Sequence, residues 1–323
     1  MNGERAVPFG AGRPIMLCLV GDSGAGRSTL TDGWVEVLGE ERVTEICLDD
    51  YHAYDRLARK ARRLTALHPD CNHLAIMGQH MRLLRHGDRI FKPVYDHTHG
   101  TFGLPEFVTP RPIVLVHGLH GLSTSELRRQ WDVSVFLDPE PELRLEWKIT
   151  RDTSKRGYTR EQVLQQLDHR RDDAETYIMP QRETADIVIA FSRPPDYAKN
   201  PDNARLNVRI TLRHPVPLPD VADALAAAKG KNGGCAKLVR GTEGQDVLEI
   251  DGTISDAATE AIENRMWDHM SAARHLRSDR LGRFVDGATV RRSNALAVTQ
   301  LVLTYYVVKA NALVVKEELL ART

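Results

Sequence analysis

The sequence predicts an α/β protein with a mostly parallel sheet flanked by helices. Three observations support this class. Short apolar segments alternate with helical stretches over the first two hundred residues, a glycine-rich turn follows the first apolar segment, and two aspartates follow the second. Such alternation is typical of parallel strands that are connected by helices.

Each short apolar run in this region predicts a strand, and the amphipathic stretches between them predict helices. The predicted strands are at 15–20, 43–48, 112–116, 132–137 and 186–191. The predicted helices are at 27–39, 70–86, 140–155 and 159–174. The segment RPPDYAKNPDN near residues 193–202 is rich in Pro, Asp and Asn, which is typical of a connection.

The C-terminal third is predicted to mix strands and helices. The alternating residues 207–213 predict an exposed edge strand, KGKNGG at 229–234 a turn, and DVLEIDGTI another strand, with helices at 256–275 and 293–318. We therefore predict an N-terminal arm at 1–14, a main domain at 15–200 and a C-terminal α+β extension at 201–323 that completes the same fold.

Charge and composition limit the classes of partner. The 44 Lys and Arg residues balance the 44 Asp and Glu residues, so no net field draws the chain to nucleic acid or to an anionic membrane. We find no apolar run of transmembrane length, no apolar N-terminal leader, and no metal-binding spacing among the four cysteines. We expect a cytoplasmic protein that binds neither nucleic acid nor membrane.

Residues 21–29, GDSGAGRST, form the glycine-rich turn between the first strand and the first helix. Glycines at this spacing let backbone N–H groups converge on phosphate oxygens, and the helix adds the positive end of its dipole. We predict that the whole segment binds nucleotide: Gly21, Asp22, Ser23, Gly24, Ala25, Gly26, Arg27, Ser28 and Thr29. The pattern indicates phosphoryl transfer from ATP, with Arg27 where such loops usually carry lysine.

Asp49 and Asp50 follow the second predicted strand. In an open α/β sheet the carboxyl ends of neighbouring strands meet at the ligand crevice, so Asp49 is expected to face the phosphate loop. We predict that Asp49 accepts the proton of an attacking hydroxyl, and that Ser28, Asp49 and Asp50 hold Mg²⁺. For Asp50, helix capping is an equally good interpretation.

Several further segments occur together with the loop, in the order ICLDDYHAYDR, RKARRLTAL, FKPVYDHTHG, GLHG and LEWKITRDTSKRGYT. In this order they resemble the phosphoribulokinase family, in particular its plant, cyanobacterial and archaeal branch. The resemblance covers residues 15–192. It implies a P-loop kinase fold, a homodimer, and ATP- and Mg²⁺-dependent conversion of ribulose 5-phosphate to ribulose 1,5-bisphosphate in the Calvin cycle of carbon fixation.

The resemblance also implies roles for individual residues. The implied substrate-binding residues are His52, Arg56, Lys60, Tyr95, His97, His120, Lys148, Arg151 and Arg156. Arg27, Arg151 and Asp152 are predicted to act with Asp49 in catalysis, Asp152 either by pairing with the arginines or by helping to hold Mg²⁺. A solvated basic face around Arg56 and a plain helix with ion pairs around Lys148 are the structural alternatives.

Three positions depart from the family pattern. Arg27 replaces lysine, His117 stands where the family carries glutamate, and Ala25 replaces the loop cysteine that plant relatives pair with the equivalent of Cys47. That disulfide is therefore excluded. The first two departures leave a catalytically impaired relative that binds nucleotide and sugar phosphate as an alternative. A kinase with another small acceptor is a second alternative, because P-loop kinases change acceptors through the residues beyond the strand ends. A nucleic-acid-binding ATPase is disfavoured because no basic patch or reader motif is present.

Overall fold

The computed structural model describes residues 9–199, 201–213, 219–228, 235–240, 245–276, 279–287 and 289–321. The strands are β1 (Ile15–Gly21), β2 (Val43–Cys47), β3 (Ile90–Lys92), β4 (Tyr95–Asp96), β5 (Thr101–Phe102), β6 (Glu106–Val108), β7 (Ile113–Gly118), β8 (Val133–Leu137), β9 (Ile187–Ser192), β10 (Asn207–Leu212), β11 (Ala236–Arg240), β12 (Asp246–Ile250), β13 (Arg283–Asp286) and β14 (Thr289–Arg292). The helices are α1 (Arg27–Leu38), α2 (Arg56–Arg62), α3 (Leu74–Arg85), α4 (Ser125–Arg128), α5 (Pro141–Arg156), α6 (Arg160–Asp173), α7 (Pro219–Ala227), α8 (Asp256–His269) and α9 (Asn294–Ala321).

The chain forms two compact units whose bounds differ from the predicted domain limits. The first unit comprises Arg13–Arg27 and Val43–Ala185. The second comprises the described residues of Met1–Gly12, Ser28–Arg42 and Asp186–Thr323. The segment after the phosphate loop therefore groups with the C-terminal residues, because compactness depends on spatial contacts and not on order along the chain.

The first unit is built on four parallel strands in the order β8-β1-β7-β2. All seven residues of β1 are buried, as expected for a central strand that is covered on both faces. Parallel pairing brings the loops that follow β1, β2 and β7 to one edge of the sheet. The predicted α/β class, with a mostly parallel sheet flanked by helices, is confirmed, and α2 to α6 belong to this unit.

The second unit contains four antiparallel strands in the order β11-β12-β10-β9. The prediction that residues 207–213 form an exposed edge is wrong, because β10 pairs with β9 on one side and with β12 on the other. Alternation of polar and apolar residues reports two different faces of a strand, and an interior antiparallel strand has them too. The predicted turn at 229–234 lies outside the described residues.

The long C-terminal helix contradicts the expectation that no apolar segment reaches transmembrane length. By length and composition α9 is apolar enough to cross a bilayer, the one such helix in the described residues. Of its most apolar 18-residue stretch, 72% is buried inside the protein, as is typical of a helix in a protein core. The helix predicted at 256–275 ends at His269 and continues as a 3₁₀ turn at Ser271–Leu276.

Candidate active site

The phosphate loop joins β1 to α1 and depends on two glycines in left-handed conformation. Gly24 has φ +89° and Gly26 has φ +88°, which side chains with a Cβ rarely adopt. A Cβ on Gly24 would lie 2.8 Å from the Cβ of Lys148, so the loop also needs glycine for close approach of α5. Ser28 and Thr29 follow in the first turn of α1, where Ser28 is exposed.

The basic helix α5 reaches this loop through its Lys and Arg side chains. Lys148 Nζ and Arg151 Nη2 each donate a hydrogen bond of 3.2 Å to Ser23 Oγ. Arg144 forms an ion pair with Asp22. Helix α5 therefore lies directly beside the phosphate loop.

Asp152 organises these cations from a buried position. Its carboxylate lies 2.9 Å from Lys148 Nζ, 2.9 Å from Arg151 Nε and 3.5 Å from Arg156 Nη1. Burial acts to raise the pKa of Asp152, but the hydrogen bonds and charges of Arg151 and Lys148 outweigh it and lower the pKa. Lys148 is itself buried, which lowers its pKa to about 8. Of the two interpretations for Asp152, the structure supports pairing with the cations.

Asp49 lies in the 3₁₀ turn Leu48–Tyr51 that follows β2. Its Oδ1 atom is buried without a hydrogen-bond partner among the described residues, and its Oδ2 lies 3.8 Å from His97 Nε2. Burial acts to raise the pKa of Asp49, yet the charge of Arg27, followed by those of three histidines, holds it well below its usual range. Asp49 is therefore an ionised carboxylate with one oxygen free to accept a proton.

Asp50 has a different role from its neighbour. Lys92 Nζ lies 2.5 Å from one carboxylate oxygen, and the backbone N–H of Tyr95 donates to the other at 2.8 Å. Asp50 does not line the cavity described below. The sequence predicts that Asp50 helps to hold Mg²⁺, but its two carboxylate oxygens instead bind Lys92 of β3 and Tyr95 of β4.

A cavity of about 100 Å³ opens beside Asp49 within the first unit. Cationic side chains dominate its lining, with six arginines against the single carboxylate of Asp49 among the described residues. The arginines are Arg27, Arg56, Arg59, Arg151, Arg156 and Arg170. An excess of guanidinium groups is the chemistry that binds phosphate and other polyanions.

One of the predicted substrate-binding cations lies outside the cavity. Lys60 is exposed and does not line the cavity, whereas Arg59 does and donates to Tyr95 Oη at 2.8 Å. His52, Arg56 and Lys60 are four residues apart, a spacing that would put them on one face of a continuous helix, but α2 begins only at Arg56. Within α2, the residues that share the cavity are three apart.

The predicted histidines occupy two environments. His52 and His97 line the cavity with Tyr95, and His52 Nδ1 lies 2.9 Å from Asn72 Oδ1. Burial lowers the pKa of His52 to about 4, so its ring is neutral near pH 7. His120 is fully buried and does not line the cavity, which corrects its predicted place in the acceptor pocket; burial lowers its pKa to about 4 as well.

Sequence reasoning missed several lining residues. Tyr158, Gln166 and Arg170 line the cavity from α6 and the turn before it. Arg59 lines the same cavity, and burial together with the charge of Arg59 lowers the pKa of Arg170. Gln166 and Arg170 are four residues apart on one helix face, but nothing local distinguishes that face from the solvated surface of α6.

Comparison with known proteins agrees with this geometry. The profile of the Phosphoribulokinase / Uridine kinase family matches residues 16–197. The chain is 38% identical over 204 residues to the phosphoribulokinase of Synechocystis sp., covering 63% of this chain and 61% of that protein. It is 34% identical over 197 residues to the chloroplastic phosphoribulokinase of Mesembryanthemum crystallinum, covering 56% of this chain and 50% of that protein.

The chain thus spans only 61% and 50% of the lengths of these two relatives. Among solved structures, the phosphoribulokinase from Rhodobacter spheroides matches with a TM-score of 0.56 and 20% identity, covering 82% of this chain and 99% of that one. This likeness supports the P-loop kinase fold. Because the family profile covers more than half of its length, the chain belongs to the phosphoribulokinase/uridine kinase family.

Proposed function

We propose that this protein transfers the γ-phosphoryl group of ATP to a hydroxyl of ribulose 5-phosphate, which yields ribulose 1,5-bisphosphate and ADP. The observation that carries the proposal is the free Oδ1 of Asp49, in a carboxylate that lines one cavity with Ser23 and Arg27 of the phosphate loop. A carboxylate in this place is suited to orient an attacking hydroxyl and take its proton.

In the proposed step, the hydroxyl oxygen of the acceptor forms a bond to the γ-phosphorus. The bond from that phosphorus to the β,γ-bridging oxygen breaks, ADP leaves with the electron pair, and the hydroxyl proton moves to Asp49. The low pKa of Asp49 keeps it ionised at neutral pH. Arg27, Arg151 and Arg156 line the cavity and would stabilise the charge that develops on the phosphates.

The loop suits a triphosphate, because the left-handed conformation of Gly24 and Gly26 lets backbone N–H groups converge on phosphate oxygens. We propose the hydroxyl of Ser28 as a protein ligand of Mg²⁺, since it is an oxygen donor that this ion prefers, and we assign Asp49 to proton transfer instead. Bound Mg²⁺ supplies neutralisation of phosphate charge. We propose a homodimer on the family resemblance alone, and a cytoplasmic location on the cysteine pattern of the sequence.

The distribution of arginines favours a phosphorylated acceptor. Arg27, Arg151 and Arg156 belong to the loop and α5, and they suffice for the phosphates of ATP. A second set, Arg56, Arg59 and Arg170, belongs to α2 and α6. Uridine carries no phosphate that the second set of arginines could bind, whereas a sugar phosphate carries one.

The test incubates the purified chain with ATP, Mg²⁺ and either ribulose 5-phosphate or uridine, and identifies the phosphorylated product by mass spectrometry. We expect the bisphosphate from the wild type. Asp49→Asn should lower kcat by about 10²-fold or more, and Asp88→Asn, at an exposed position outside the cavity, should leave it unchanged.

Phosphorylation of uridine instead would replace the proposed acceptor. If neither compound reacts with the wild type but the bisphosphate forms with Arg27→Lys/His117→Glu, the protein is the catalytically impaired relative. Absence of product in every form would reject ribulose 5-phosphate as the acceptor.

A further inference from the structure

Three side chains of different chemistry converge at the end of β2. Cys47 Sγ, a carboxylate oxygen of Asp49 and an imidazole nitrogen of His97 all lie within 4.8 Å of one another. We propose that these residues form a binding site for Zn²⁺ or a divalent ion of the same borderline-soft class. The site shares Asp49 with the proposed acceptor site.

The separations suit tetrahedral coordination after small adjustments. Zn²⁺ bonds of about 2.0–2.3 Å require ligand atoms roughly 3.3–3.7 Å apart. Asp49 Oδ2 and His97 Nε2 are 3.8 Å apart, and Cys47 and Asp49 are held two residues apart by the strand end and its 3₁₀ turn. Three protein ligands leave the fourth position open to water, as in accessible zinc sites.

The donor set selects the ion. One sulfur, one nitrogen and one carboxylate oxygen match the preferences of Zn²⁺, whereas Mg²⁺ requires oxygen ligands and finds only one here. Binding releases the thiol proton of Cys47 to solvent. Thiolate and carboxylate then carry two negative charges, which balance the ion despite the arginines of the cavity.

Occupation of this site would block phosphoryl transfer. A metal-bound Asp49 can no longer accept a proton from the acceptor hydroxyl, so the ion and the sugar phosphate would compete. This consequence rests on the proposed function, whereas the binding of the ion does not.

The test titrates Co²⁺, a spectroscopic substitute for Zn²⁺, into the full chain without nucleotide or sugar phosphate. We expect one ion per chain, with a near-ultraviolet thiolate-to-Co²⁺ absorption band that Zn²⁺ removes by displacement. Cys47→Ser should abolish the band, and His97→Gln should weaken binding about tenfold or more. Because the His97 side chain is 42% exposed, its substitution should leave the fold intact.

The matched controls are Cys235→Ser and His99→Gln, which alter residues of the same types outside the cluster and should bind Co²⁺ like the wild type. A missing thiolate band in the wild type, or equal affinity in wild type and His97→Gln, would overturn the site. If binding follows the expected pattern while the chain phosphorylates nothing, the metal site stands and the proposed function fails. If the chain is an active kinase that Zn²⁺ inhibits equally in wild type and Cys47→Ser, the site is overturned and the proposed function stands.

Discussion

The Nε2 atom of His117, on β7, lies 2.9 Å from the Oε1 atom of Glu45 on the neighbouring strand β2. The family resemblance places a glutamate at position 117, so the loss of a carboxylate was expected there. Cys47 pairs with His117 in the parallel register, and Glu45, two residues earlier on β2, points to the same face. A carboxylate thus persists beside position 117, carried by a different strand.

The contact between His117 and Glu45 predicts that His117→Glu alone destabilises the fold. The new carboxylate would face Glu45, and two like charges at this half-exposed position should lower the free energy of unfolding by about 1 kcal/mol. Urea unfolding at pH 8 measures the effect. The His117→Glu/Glu45→Gln double variant should recover most of the loss, and a stable single variant would contradict the argument.

Arg59 and Lys60 provide a matched pair for the acceptor site. Arg59 lines the cavity and Lys60 does not, although both lie in α2. If Arg59 binds the phosphate of the acceptor, Arg59→Gln should raise KM for ribulose 5-phosphate about tenfold or more, from the loss of a charged hydrogen bond of roughly 1.5–3 kcal/mol. Lys60→Gln should leave KM within about twofold. Equal effects would favour a solvated basic face.

Asp152 should be important for stability because three cations depend on it. Asp152→Asn leaves the buried Lys148 without its ion pair, which should cost about 3 kcal/mol in the free energy of unfolding. Asp168→Asn is the control, since its 2.7 Å pair with Arg171 is 65–71% exposed and should contribute no more than about 0.5 kcal/mol. Urea unfolding of both variants tests the difference, and similar losses would refute the assigned role.

Gly24 and Gly87 both have positive φ, at +89° and +86°. A methyl group at Gly87 meets nothing within 4 Å, whereas at Gly24 it meets Lys148 Cβ at 2.8 Å. Gly87→Ala should therefore lose about 1 kcal/mol from backbone strain, and Gly24→Ala a further 1–3 kcal/mol or so from steric overlap. The comparison uses urea unfolding, and ATP binding by calorimetry should weaken only in Gly24→Ala. Equal losses in the free energy of unfolding would show that α5 moves away to accommodate the added methyl group.

The buried histidines predict a specific acid instability. His52 and His120 have pKa values near 4 in the folded protein against an unfolded value of about 6.5, so the unfolded state binds more protons between these limits. Stability is therefore full above about pH 6.5 and falls as the pH drops towards 4, by up to about 3 kcal/mol for each histidine. Unfolding measured from pH 8 to 4.5 should show this slope.

His52→Gln and His120→Gln should each reduce the proton uptake on unfolding by about one proton. His99→Gln, at an exposed position, is the control and should keep the wild-type slope. A slope that neither buried variant changes would assign the acid instability to carboxylates.

The sequence was informative wherever the signal is local. The phosphate loop was located correctly because Gly24 and Gly26 supply their backbone conformation whatever surrounds them. Asp49 was placed correctly because parallel strands bring their carboxyl ends to one edge. The family resemblance pointed to Lys60, but Arg59 lines the cavity instead; His52 precedes the start of α2 at Arg56, so the four-residue spacing does not define one helix face.

The sequence by itself determined the α/β class, the phosphate loop and the family, since strand periodicity, glycine spacing and motif order are properties of neighbouring residues. Only the tertiary structure decided that Lys92 and Tyr95 occupy the carboxylate of Asp50, that Glu45 faces His117, that Arg170 lines the cavity and that β10 is an interior strand. These outcomes depend on charge and packing between residues distant in the chain, and no local pattern encodes which partners folding brings together.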